Sequence, residues 1–140
     1  MKELFYSTIA VLGAAIASLF GGWSTSMTTL LVFMGLDLVT GWMLAGIFHA
    51  STKTEDGRLE SRVGWKGLAR KVMTIILVYV MYRVDIMLGT TYFRDGTAIA
   101  FTANEALSIL ENAGRMGIKF PKIVTDAIEV LTNTADKGKE

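Results

Sequence analysis

Apolar positions in this chain come in long runs, not in strict alternation. Residues 4–20 are apolar and rich in small side chains, and residues 27–48 form a second apolar run. Between Leu4 and Thr52 the one charged side chain is Asp37. A helix of about 20 such residues crosses the roughly 30 Å hydrocarbon core of a bilayer. The pattern therefore predicts two membrane helices, over about residues 4–20 and 27–48. Gly21, Gly22 and the Ser/Thr-rich residues 24–29 make the turn between them.

The rest of the chain changes character. Residues 49–66 read as a solvated polar loop of mixed charge. A third helix is expected over about 68–88, but its uncharged part, residues 72–82, is short. It spans only if the flanking Arg70, Lys71, Arg83 and Asp85 snorkel or pair. Tyr79, Tyr82, Tyr92 and Phe93 suit an interfacial aromatic belt. After a turn at 89–96, a fourth helix over 97–113 carries Asn104, Glu105, Ser108, Glu111 and Asn112, a spacing that gathers them on one face. Gly114 reads as its stop. Pro121 opens a short amphipathic helix, about 121–132, with Ile123, Val124, Ala127, Ile128 and Leu131 on one side. Residues 133–140 read as a frayed polar tail. There is no internal repeat.

The expected fold is all-α: a single membrane domain over residues 1–140, a bundle with about four membrane segments and the C-terminal amphipathic helix. The alternative is three spans, with 97–113 lying in the interface. Small residues mark two packing faces, Gly13/Ala17/Gly21 and Gly41/Ala45. All but Arg83 and Arg94 of the 14 basic residues fall in segments that four spans place on one side. The positive-inside rule then puts both termini in the cytoplasm. A cleaved secretory signal is disfavoured, because Glu3 interrupts the basic start and a second apolar run follows at once.

Composition narrows the function. Hydrophobic residues make up 51% and charged residues 19% of the 140, with a net charge of +1. That balance gives no general attraction to nucleic acid. There is no cysteine and one histidine, His49, so neither thiol chemistry nor a protein zinc site is expected. No catalytic set or phosphate loop stands out, and no enzyme activity or cofactor is expected.

Asp37 lies about 15 Å into its helix, near the bilayer midplane. A carboxylate there costs on the order of 3 kcal/mol, so it is either a functional group or a hydrogen-bonded link between helices. Its depth suggests Arg83 as the neutralising partner of Asp37 or Glu105, with Asp85 reaching the outer interface. The stripe from Asn104 to Asn112 cannot face lipid unpaired. It must be buried in the bundle, lie in water at the interface, or be covered by oligomerisation, where it would line water.

Three segments together resemble the phage lysis and toxin-secretion holins of Gram-positive bacteria and their phages. They are Leu36-Asp37-Leu38-Val39-Thr40-Gly41 followed by Ala45; Ser61, Gly64, Gly67 and Lys71 leading into a helix with Asp85; and residues 104–112 followed by Gly114, Gly117 and Pro121-Lys122. The likeness covers about residues 30–131. It implies a protein of the bacterial cytoplasmic membrane that oligomerises and opens a lesion. Through this a cell-wall hydrolase (endolysin) or a toxin leaves the cell. It implies an endolysin that is released and not bound, and an antiholin as a further partner. Members are often drawn with three spans, and the family offers no catalytic residues to carry over. Two other readings stay open: a small transporter or ion channel using Asp37, and a non-conducting antiholin or membrane anchor.

Overall fold

The computed structural model describes residues 1–137. Among these there are five helices and no strand: α1 Lys2–Leu19, α2 Thr25–Gly46, α3 Ser61–Leu88, α4 Phe93–Arg115 and α5 Lys122–Lys137. By length and composition, α1 and α2 can each cross a membrane.

Each boundary has a local cause. α1 ends where Gly21 and Gly22 take the left-handed conformation (φ 78° and 95°) and the Gly22 amide reaches the Ala17 carbonyl at 2.8 Å. The Ser24 hydroxyl accepts a bond from the Met27 amide, so α2 starts at Thr25, ahead of the expected residue 27. α3 begins seven residues before the expected position 68. Residues 61–66, expected in the polar loop, are helical, as are Gly64 and Gly67. At 28 residues α3 is about 42 Å long, so its first turns extend beyond any bilayer core it enters.

α3 stops at left-handed Gly89. α4 starts at Phe93, not 97, because the Asp85 carboxylate caps it from the end of α3. α4 continues past Gly114 to Arg115, and Gly117 (φ 91°) supplies the left-handed turn after it. Asn133 to Lys137 belong to α5, not to a frayed tail; 138–140 lie outside the described residues. The loop between α2 and α3 is ordered by Ser51 N–H bonding the Gly57 carbonyl and by Thr54 bonding the Arg58 carbonyl.

α4 is the central helix, packing against α2, α3 and α5. Ala98, Thr102 and Ala106, one turn apart, are all buried, and this small-residue stripe lets neighbouring helices approach closely. The apolar core is small: Phe20, Met27, Leu30, Met34, Val78 and Ala98. Most large apolar side chains face outward, including Phe5, Ile9, Val32, Trp42, Ile76 and Val80. So much exposed apolar surface suits lipid, not water. α1 is nearly bare: Ala17 is its one buried residue. It joins the bundle at its C-terminal end, where Phe20 meets Tyr79 edge-on at 5.6 Å.

Candidate functional site

Three helices converge on one ammonium group. Lys71 projects from α3 to Asp37 of α2, Nζ to Oδ2 2.7 Å, and to Glu105 of α4, Nζ to Oε2 2.5 Å. All three side chains are largely withdrawn from solvent, 11%, 10% and 14% exposed. A buried lysine is rare unless paired, and here it bridges two carboxylates. Asn112, two turns beyond Glu105 on α4, donates to the Thr40 hydroxyl at 2.9 Å and approaches Asp37 Oδ1 at 3.4 Å. Thr40 in turn donates to the Asp37 carbonyl at 3.2 Å. Among the described residues no buried side-chain polar atom lacks a partner.

The expected pairing through Arg83 is not made. Arg83 is exposed and forms no ion pair among the described residues. It lies twelve residues beyond Lys71, about 18 Å further along α3 and about 120° around it. Lys71 falls at the right height and on the right face. It shares a stripe with Gly64, Gly67 and Thr74, the small side of α3, which was the available signal that it points inward. Its place beside Arg70, at the edge of a basic loop, concealed it.

The polar residues of α4 divide between two directions. Glu105, Ser108 and Asn112 form an inward seam against α2 and α3, with Asn112 buried and the other two half-buried. Asn104 and Glu111 lie about 100° away and are exposed. The five therefore do not share one environment.

Asp85 serves a different purpose from the buried pair. Its carboxylate accepts from the Thr90 hydroxyl (2.6 Å) and the amides of Phe93 (3.0 Å) and Arg94 (2.8 Å), capping α4. Arg94, which the sequence offered only as a basic residue of the outer turn, and Asp95, which it did not single out, tie the two turns at this end together. Arg94 donates to the carbonyls of Phe20 and Gly22 and stands over the Tyr82 ring. Asp95 accepts from Ser24 and Ser26.

Of the small-residue positions, Gly41 lies beside Asn112 and Ala45 is buried. Ala17 is buried, but Gly21 sits in the turn, where a β-carbon would come 2.5 Å from the Tyr82 ring. Gly13 has no neighbour within 4 Å of a β-carbon placed there. The Gly13/Ala17/Gly21 stripe is thus not a continuous seam inside the subunit.

A cavity of about 480 Å³ opens between α2, α3 and the 51–60 loop, with Asp37, Lys71, Glu105 and Asn112 on its wall. No group of three or more metal-ligating side chains occurs among the described residues. The arrangement offers a hydrogen-bonded cluster, one ammonium between two carboxylates, that holds three helices together at one level.

Comparison with known proteins gives a consistent answer. A family model described as "Bacteriophage holin family" matches residues 14–133. An uncharacterized protein of Halalkalibacterium halodurans is 34% identical over 98% of this chain and 100% of its own length. An uncharacterized protein of Listeria monocytogenes is 33% identical over 100% of this chain and 95% of its own. A protein named "Probable holin" from Bacillus phage phi105 is 32% identical over 79% of this chain and 77% of its own. No solved structure matches.

Proposed function

This chain belongs to the bacteriophage holin family, and on that premise we propose that it opens lesions in the cytoplasmic membrane of a bacterial host. It accumulates there, oligomerises, and then releases a cell-wall hydrolase or a toxin without itself catalysing a reaction. α1 to α4 span, both termini face the cytoplasm, and α5 lies along the inner surface. In support, the α2/α3 loop, the first turns of α3, the last residue of α4, the α4/α5 connection and the first residue of α5 fall at the same end of the bundle. They hold Lys53, Arg58, Arg62, Lys66, Arg70, Lys71, Arg115, Lys119 and Lys122, nine of the 14 basic residues. The opposite end carries Arg94, in the first turn of α4.

One observation carries this reading: a polar seam on α4, Glu105–Ser108–Asn112, covered by α2 and α3 inside a molecule that turns most of its large apolar side chains outward. Lipid cannot solvate that seam. It has two acceptable surroundings, the helices of its own subunit or water. Packed subunits keep it covered and the membrane sealed. Subunits that rearrange together turn it, with Asn104 and Glu111, toward a shared aqueous hole. The Asp37 carboxylate is already bonded to the Lys71 ammonium, which favours this reading over a transporter that would use Asp37 alone for its ion.

The test is regulated expression in a bacterium beside an endolysin that lacks an export signal. The expected result is a delay, then abrupt loss of membrane potential with endolysin activity outside the cell. Graded ion flux without protein release would favour the transporter; unchanged permeability would favour the anchor or antiholin.

A further inference from the structure

The segment Ser61-x-x-Gly64-x-x-Gly67-x-x-x-Lys71 has no part in the seam beyond Lys71 itself. In the structure it forms one wall of the 480 Å³ cavity. Gly64, Gly67, Lys71 and Thr74 lie along one stripe of α3 facing that space. No atom comes within 4 Å of a β-carbon built at Gly64 or Gly67. Two glycines inside a long helix weaken it by roughly 0.5–1 kcal/mol each relative to alanine. Here they leave the helix backbone bare on the wall of the cavity.

The charge around that space is uneven. Lys53, Arg58, Lys66 and Arg70 line it, and none of the four makes an ion pair among the described residues. Lys71 bonds both Asp37 and Glu105, and Glu60 is the third lining acid, so five basic side chains face three acidic ones and the lining keeps a positive excess. The side chain of Glu60 does not cap α3, so the first amides of that helix add their positive dipole end. Leu38, Trp42 and Leu59 are among the apolar lining residues, and Trp42 and Leu59 are exposed on the outer surface. Basic groups above an apolar wall match an anionic head group joined to acyl chains, and not a free anion, which would gain nothing from that wall.

We propose that this cavity binds the phosphodiester head group of an anionic membrane lipid. Lys53, Arg58, Lys66 and Arg70 surround the phosphate, Gly64 and Gly67 give it room against the helix backbone, and the acyl chains pass over Leu38 and Trp42. The lipid as occupant rests on the membrane reading above. The site itself does not depend on lesion formation, so its test uses no lysis.

The full chain, purified in detergent, is titrated with short-chain phosphatidylglycerol, phosphatidylcholine and inorganic phosphate, followed by native mass spectrometry. Phosphatidylglycerol is expected to bind more tightly than the other two. Each of Lys66→Gln and Arg70→Gln should weaken it about fivefold. Gly67→Leu, which fills the cavity without changing charge and favours the helix, should abolish the preference. Arg62→Gln, which removes a nearby charge outside the cavity lining, should leave it unchanged. Equal binding of the two lipids, displacement by equimolar inorganic phosphate, or an Arg62→Gln loss as large as that of Arg70→Gln would overturn the proposal.

Discussion

Lys71 of α3 lies 2.7 Å from Asp37 of α2, and the same ammonium holds Glu105 of α4. One cation thus sets the relative height of three helices. Removing it leaves two carboxylates facing each other in a poorly hydrated place. Lys71→Met is therefore expected to destabilise the bundle by about 3–5 kcal/mol. Asp37→Asn should cost much less, since Lys71 keeps Glu105 and the amide still offers an acceptor. Thermal unfolding in detergent checks the order; equal losses would mean that the two pairs do not share one centre.

Arg83 should be dispensable. It is exposed and unpaired among the described residues, and such positions change stability by about 0.5 kcal/mol or less. Arg83→Gln is expected to insert, assemble and trigger as the parent does. Insertion and lysis assays that showed a large defect would return Arg83 to the membrane interior.

Asp85 caps α4 across the α3/α4 turn with charge-assisted bonds to two amides. Asp85→Ala should lower stability by about 1–2 kcal/mol. Hydrogen exchange should localise the loss to the first turn of α4. Uniform loss through the bundle would show that the carboxylate does more than cap.

Gly21 and Gly13 belong to one small-residue stripe in the sequence but should behave oppositely. Gly21→Ala meets a positive φ and the Tyr82 ring, so it destabilises the subunit by about 1 kcal/mol or more. Gly13→Ala enters open space on a bare helix and leaves the subunit intact. If α1 packs against a second copy, Gly13→Ala instead loosens the oligomer, which chemical cross-linking in membranes would reveal.

α1 and α2 were legible because hydropathy adds residue by residue. Asp37 and Glu105 were legible for the same reason, as charges with nowhere to go. Their common partner was not, because pairing depends on how far α3 is rotated and where it starts. The mixed charges of residues 49–66 hid that start, because they read as a solvated loop, whereas the structure makes residues 61–66 the first turns of α3 beside a cavity. The α4 polar stripe was legible as a pattern but not as a division. Which of its residues turn inward depends on where α2 and α3 lie. The Asp85 cap spans a turn of several residues, and a periodicity argument does not see it.

The central claim is that the inward seam of α4 exchanges protein for water when the lesion opens. The chain contains no cysteine, so single cysteines report cleanly. Ser108→Cys, half-buried on that seam, is treated in expressing cells with a membrane-impermeant maleimide before and after loss of membrane potential. Leu36→Cys, on the outward face of α2, serves as the lipid-facing comparison. The account predicts that Ser108→Cys is unlabelled before that moment and labelled after it, while Leu36→Cys stays unlabelled throughout. A Ser108→Cys that remains protected in cells already releasing endolysin would contradict it.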